Sequence, residues 1–249
     1  MLGWYFFLGI MGIGMIILLI YGLPRKHIER QASMEGIESK EVVNGFEKMA
    51  KTPPFMLFRH KIVSKVKDLD PTRTIVDLGC GSGNLIVKIA KEMKDVELIG
   101  VDISSEMLGR AKKRAGKQDL DSGIKFKIGS ADSLPFSDNS IDMVVSSLSL
   151  HHWEDPLESL KEINRVLRHN GKLLLFDFRR DARRLFYGLL IFATKVVVPK
   201  ALKEINEPLA SLKAGYTLQE INEIFKSSPF HQFEIEPYLA WLFITANKN

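Results

Sequence analysis

The stretch Thr74-Ile75-Val76-Asp77-Leu78-Gly79-Cys80-Gly81-Ser82-Gly83-Asn84 decides the fold. Ile75, Val76 and Leu78 make the short apolar run of a strand covered on both faces. Gly79, Gly81 and Gly83 follow, and they allow backbone angles and close approaches that a side chain blocks. From Asn84 onward the apolar residues Leu85, Ile86, Ile89 and Ala90 fall at helical spacing. A strand that runs through a glycine-rich turn into a helix opens an α/β sheet, and open sheets of this kind take ligands beyond the carboxyl ends of their strands.

Strand and helix patterns alternate on the carboxyl side of this unit. A helix is predicted over 84–94, a strand over 96–101, and a helix with a basic outer face over 106–117. Residues 124–128 alternate with period two, and 141–146 form a fourth strand. A helix over 156–167 leads through a turn at Asn170-Gly171 into a fifth strand. Thr217 and Glu220 form a capping box at the start of another helix, and 233–238 with 240–246 read as a terminal hairpin. Asp102 closes the second strand about 20 residues past the glycines, a spacing that suits a carboxylate accepting from both hydroxyls of a ribose. It also precedes Ser104, Ser105 and Glu106, where it can cap a helix, and the two roles are compatible. Ile103 and Met107 offer an apolar face to a flat base, or serve as core side chains.

The dinucleotide fingerprint needs a third glycine three places after the second, and Asn84 stands at that place. The glycines alternate instead, with Asp77 at the strand end. This Asp-x-Gly-x-Gly-x-Gly pattern resembles the S-adenosylmethionine loop of the class I methyltransferases. The loop Gly129-Ser130-Ala131-Asp132-Ser133-Leu134-Pro135-Phe136 resembles that family's adenine-recognising loop, and 160–177 resembles its helix into strand five. Asn170-Gly171 stands where the family usually has Pro-Gly, and either makes a turn. The order of motifs over 74–178 is more specific than any one of them. The resemblance implies a Rossmann-like, mostly parallel seven-stranded sheet with helices on both faces and a C-terminal antiparallel hairpin. It implies S-adenosyl-L-methionine as cofactor, held by Asp77, Gly79, Cys80, Gly81 and Gly83 of the loop. Asp102, Ile103 and Met107 would meet the sugar and base, Asp132 and Ser133 the adenine, and Ser147 would be the remaining cofactor contact. The Asn/Asp-Pro-Pro-Tyr run of the nucleic-acid amino-methyltransferases is absent, and Ser146-Ser147-Leu148-Ser149 stands there instead. That favours a small or lipid-like acceptor over a nucleic acid.

The N-terminus carries a second signal. Residues 2–23 contain no charged side chain, and at about 1.5 Å per residue they can cross a hydrocarbon core of roughly 30 Å. Trp4, Tyr5 and Tyr21 sit at its ends, and Arg25, Lys26, His27 and Arg30 follow, which places the remainder on the cytoplasmic side. A cleaved signal peptide needs basic residues before a shorter apolar run, and none precede this one. A buried core helix is the other alternative. The chain then divides into an anchor over 1–24, a connector with N-terminal helices over 25–70, and a methyltransferase domain over 71–249 with a substrate-side insertion over 178–215. In the connector, Val42, Val43, Phe46 and Met49, then Phe55, Leu57, Phe58, Ile62 and Val66, fall at helical spacing. In the insertion, Arg179, Arg180, Arg183 and Arg184 precede an apolar run over 185–198, which reads as an interfacial helix, a lid or a packed helix.

Composition narrows the function classes. The 249 residues carry a net charge of +5 and a pI of about 9.1, with Lys and Arg scattered, which is no nucleic-acid footprint. The single cysteine, Cys80, excludes a disulfide framework, and no His, Cys or carboxylate cluster has metal-ligand spacing. Transfer of an already electrophilic sulfonium methyl needs mainly alignment, with a base only where the acceptor must lose a proton. His152 and Asp177 are the candidate catalytic residues, with His151 beside them and Arg179 and Tyr187 as candidate substrate contacts. On a regular backbone His151 and His152 point different ways, so one at most acts. The expected protein is a membrane-anchored methyltransferase acting in line on a small or lipid-like acceptor such as a quinone, isoprenoid or lipid. Its layout resembles membrane-tethered thiol methyltransferases in arrangement. A non-catalytic membrane module that keeps the cofactor fold is the alternative, and a nicotinamide oxidoreductase is disfavoured by Asn84.

Overall fold

Ile75, Val76 and Leu78 lie at the centre of a seven-stranded sheet in the computed structural model, which describes residues 2–17, 28–31, 39–120 and 122–249. The strands are β1 (Thr74–Leu78), β2 (Glu97–Asp102), β3 (Ile124–Ile128), β4 (Ile141–Ser147), β5 (Leu167–Phe178), β6 (Gln232–Pro237) and β7 (Trp241–Asn247), in the order β3-β2-β1-β4-β5-β7-β6. Pairing is parallel from β3 through β5, and β7 lies antiparallel to both β5 and β6. The expected seven-stranded, mostly parallel sheet with a C-terminal hairpin is therefore present. β1 pairs with β2 on one side (Ile75 opposite Leu98) and β4 on the other (Val76 opposite Val144). The strand order reverses between them, so a crevice opens beyond their carboxyl ends.

Alternation along the strands feeds two apolar layers. Val76, Leu78, Val144, Leu173 and Leu175 meet α6 (Pro156–Val166) and α10 (Leu218–Ser227) through Leu160, Ile163, Ile221 and Phe225. Ile75, Met143, Val145, Leu174 and Phe176 meet α3 (Pro53–Asp68) and α4 (Asn84–Glu92) through Ile62, Val66, Leu85 and Ile89. The helix α5 (Ser105–Gly116) packs on β2 and β3, and α2 (Lys40–Ala50) packs on the short α8 (Lys200–Glu204). The insertion after β5 comprises α7 (Arg184–Val196), α8 and α9 (Leu209–Ala214).

Two expectations need correction. The helix predicted to Leu167 ends at Val166, because Leu167 is already extended and pairs with Ile141. The Asn170-Gly171 turn is folded into β5 as a bulge: the register passes from Leu167/Ile141 to Lys172/Met143, with Asn170 at φ +60°. The expected anchor is described only in part: the N-terminal helix α1 covers Leu2–Ile17, and no helix among the described residues is long and apolar enough to cross a membrane. Residues 18–23 of the expected anchor, and the basic residues 25–27 after it, lie outside the described residues.

Candidate active site

The glycine turn is held from behind by main-chain bonds. The N–H groups of Gly79 and Cys80 both donate to the Val101 carbonyl, at 2.8 and 3.0 Å. Gly83, at φ +80°, caps α4 in a left-handed conformation, and a Cβ there would sit 3.0 Å from Ala111 Cβ. Gly81, at φ +51°, has open space where a Cβ would be, so its main chain is bare toward the crevice. Asp102 ties the turn to α5: Oδ2 accepts from the Gly81 N–H at 2.8 Å and Oδ1 from the Ser104 N–H at 2.9 Å. Ser104, not Asp102, caps α5, because its hydroxyl accepts from the Met107 N–H at 3.2 Å. Burial pushes the Asp102 carboxyl up, and the Ser104, Gly81 and Ile103 amides partly offset this.

The crevice continues into a cavity of about 830 Å³. One side is built from the turn, Asp102 to Ser104, Met107, and Gly129 to Asp132. Ile103 is 58% exposed there, an apolar side chain with its face free for a ligand. Ser130 donates its hydroxyl to Asp132. Ser147, Leu148, Ser149 and His151 to Glu154 form the floor at the end of β4. The opposite wall comes from α2, α3, Phe176, Phe178 and the insertion, through Phe46, Met49, Phe55, Phe58, Ile205 and Glu207.

Of the residues the sequence proposed, Gly79, Cys80, Gly81, Asp102, Ile103, Met107, Asp132, Ser147 and His152 line this cavity. Asp77, Gly83, Ser133 and Asp177 are not in its wall. Gly83 acts on the fold as a helix cap, and Ser133 is bridged through its main chain to Ser130. Arg179 and Tyr187 are also outside the wall: Arg179 is buried and paired with Asp181, and the Tyr187 hydroxyl donates to the Arg180 carbonyl.

Asp77 is 1% exposed, and among the described residues no donor reaches either carboxylate oxygen at full hydrogen-bond geometry, the Ile86 amide being the nearest influence. Burial first, then the charge of Asp102, pushes its carboxyl up to about 7, and the Ile86 amide offsets this least of the three. Burial and the same two carboxylates push the Cys80 thiol up, so it stays a thiol at neutral pH. An unfolded Asp titrates near 3.9, so between about pH 4 and 7 the folded chain keeps a proton that the unfolded chain has lost. Stability contributed by this residue is therefore present at pH 4 and lost as pH rises toward 7, by on the order of 4 kcal/mol. Urea unfolding at pH 4.5 and 7.5 should show Asp77→Asn losing less stability across that interval than the wild type. Equal losses would contradict the assignment.

The histidines are arranged differently from the expectation. Leu150–His152 forms a 3-10 turn, so the two rings lie side by side, tilted 42° with centroids 4.1 Å apart, and both line the cavity. Asp177 pairs with His151, not His152. Its Oδ1 meets His151 Nδ1 at 2.7 Å and accepts from the Phe178 N–H at 2.7 Å, and its Oδ2 accepts from the His151 N–H at 3.0 Å. His151 Nε2 is left without a partner in the described residues, as is His152 Nδ1. Burial, with the charges of His151 and Arg30, pushes His152 down to about 4 against the pull of Asp177, so it is neutral at pH 7. Glu207, which sequence patterns did not single out, lines the same cavity, accepts from Ser211 Oγ at 2.7 Å and is pushed up by burial. No local signal marks it, since it lies in the irregular insertion.

A family model for a methyltransferase domain matches residues 76–175. Among curated proteins, the ubiquinone/menaquinone biosynthesis C-methyltransferase UbiE of Rickettsia bellii (strain RML369-C) is 32% identical over 176 residues, 69% of this chain and 68% of that protein. UbiE of R. bellii (strain OSU 85-389) is 33% identical over 154 residues, 60% of this chain and 61% of that protein. The chain therefore aligns with 61% and 68% of the length of these two relatives. Among solved structures, phosphoethanolamine N-methyltransferase 2 of Haemonchus contortus, in complex with S-adenosyl-L-methionine, superposes with a TM-score of 0.65 at 18% identity. That match covers 86% of this chain and 58% of that one, and the likeness is one of fold.

Proposed function

The chain belongs to the class I S-adenosylmethionine-dependent methyltransferases, and on that premise we propose that it methylates a ring carbon of a small quinone-type acceptor. The residues present suit the family's cofactor: Gly81 leaves bare main chain, Ile103 an apolar face and Asp102 a carboxylate at the end of β2. When bound, the cofactor supplies an electrophilic methyl on a sulfonium. The chain's own task is then to bind, align and deprotonate the acceptor.

The observation that carries this reading is the buried His151–Asp177 pair. Asp177 fixes Nδ1 as the donor and leaves Nε2 to accept a proton. A hydroquinone ring carbon is a weak nucleophile until an adjacent hydroxyl is ionised. His151 takes that proton at Nε2, and Asp177 stabilises the imidazolium that results. After transfer, the ring carbon loses its own hydrogen as a proton while the ring hydroxyl is restored, so one proton in all leaves with the product. Phe46, Phe55, Phe58 and Phe178 give the acceptor an apolar wall, which excludes water and strengthens the local electrostatics. The UbiE relatives, by their printed name, are C-methyltransferases of quinone biosynthesis.

Localisation belongs to the same proposal: residues 2–23 anchor the chain, with the domain on the cytoplasmic side. Along α1, Trp4, Tyr5, Phe7, Ile10, Ile13 and Ile16 are all more than half exposed, so apolar side chains face outward on every side. A bilayer is the surroundings that such a helix suits.

The test uses the full chain in detergent with a methyl-labelled donor and a demethylated hydroquinone bearing a short prenyl tail. Label on the ring carbon is expected. Label on oxygen would overturn the carbon assignment, and donor binding without transfer to any quinone, lipid or thiol would favour a non-catalytic module. The full chain should co-sediment with vesicles and a chain starting at residue 25 should not. Equal sedimentation would remove the anchor.

A further inference from the structure

The charges around the cavity are lopsided. Six carboxylates line it: Glu47, Asp102, Glu106, Asp132, Glu154 and Glu207. Among the described residues, Arg59 is the one Lys or Arg in its wall. An acidic lining suits a ligand that carries a sulfonium and an ammonium. That ligand also carries one carboxylate, which needs a cation.

Arg59 is placed to be that cation. It lies on α3 on the face shared with Phe55, Phe58 and Ile62, all of which line the cavity. It is half-buried and makes no ion pair or hydrogen bond with any described residue. The neighbouring arginines are already satisfied: Arg114 Nε donates to the Ser82 carbonyl of the glycine turn at 2.7 Å, and Arg114 and Arg110 both approach Glu47. Burial and the charge of Arg114 push the Arg59 guanidinium down, so the protein itself disfavours its charge. A half-buried guanidinium held near a second cation, with no acceptor, is a group arranged for an incoming anion. From the α3 wall it feels the charge of Arg114, whose Nε donates to the Ser82 carbonyl of the glycine turn across the cavity.

We propose that Arg59 binds the carboxylate at the methionine end of the cofactor. This rests on the cofactor reading above and adds a residue that the glycine-loop motif does not contain. Arginine suits the task because its planar fork meets a carboxylate with two parallel N–H donors.

Calorimetry on the full chain tests it with two ligands, S-adenosylhomocysteine and its decarboxylated counterpart S-adenosyl-3-thiopropylamine, which keeps the amine and the nucleoside. Arg59→Met should weaken S-adenosylhomocysteine by about 10- to 100-fold, the range of a lost charged hydrogen-bonded pair. It should leave the decarboxylated ligand unchanged, and Arg59→Lys should fall between. Binding of the control ligand to the same variant shows that the site is folded. Equal weakening of both ligands, or of neither, overturns the proposal. So does a variant altered only in acceptor KM, which would assign Arg59 to the acceptor. A wild-type chain that binds neither ligand would instead remove the cofactor reading, and the proposal with it.

Discussion

His151→Ala is expected to lower methyl-transfer turnover by about 10²- to 10⁴-fold, the usual worth of a positioned general base. His151 lines the cavity, its Nδ1 is engaged by Asp177 at 2.7 Å, and its Nε2 has no described partner. Asp177→Asn should lose nearly as much, because an amide in the same place can present its N–H₂ to Nδ1 and turn the ring to the wrong tautomer. His152→Ala should lose far less, since no carboxylate orients that ring and its proton affinity is already low. Rapid-mixing turnover beside calorimetric cofactor binding separates the two roles. Turnover should fall for the His151 and Asp177 variants while cofactor affinity holds. Normal turnover in His151→Ala would leave alignment alone as the source of catalysis.

Arg180→Met should cost about 1–3 kcal/mol of folding stability, the range for leaving buried acceptors unpaired, since the Glu220 side chain that pairs with it is 38% exposed and partly screened by water. Arg180 is 4% exposed. Its Nη1 and Nη2 pair with Glu220 at 2.9 and 2.5 Å, its Nη1 also donates to the Gly215 carbonyl at 2.8 Å, and its Nε donates to the Ile28 carbonyl at 2.6 Å. Methionine fills the volume and satisfies none of these acceptors. The loss should appear in urea midpoints, and Arg179→Met, whose guanidinium pairs with the adjacent Asp181, gives the comparison. A loss under about 1 kcal/mol, the ordinary worth of an exposed pair, would mean that the Arg180 cluster is solvated.

This arginine also shows where sequence reading stops. Arg179 and Arg180 precede an apolar run, which reads locally as an interfacial helix, a lid or a packed helix. In the fold both are buried, and Arg180 joins β5 to α10 and to the connector. On α7 itself, Leu189 and Phe192 are exposed while Tyr187 is buried, so the run is a packed helix with one bare face. Nothing within a few residues of Arg180 states that a carboxylate 40 positions later will cover it.

The sequence by itself determined the glycine turn, the alternation of strand and helix segments, the closing hairpin and the capping box at Thr217. Each is written in short-range chemistry: positive φ tolerated by glycine, period-two alternation, a side chain three residues from its own cap. It also placed Asp102, Asp132 and Ile103 at the carboxyl ends of strands, where the sheet order brings them to one cavity. Tertiary structure alone decided that Asp177 chooses His151 over His152, that Asp77 lies behind the turn, and that Arg59 shares its cavity with six acids and has no partner of its own among the described residues. Those outcomes depend on contacts between residues distant in sequence, 26 positions apart for His151 and Asp177, and on how far burial strips water from each charge. Neither quantity is carried by local spacing.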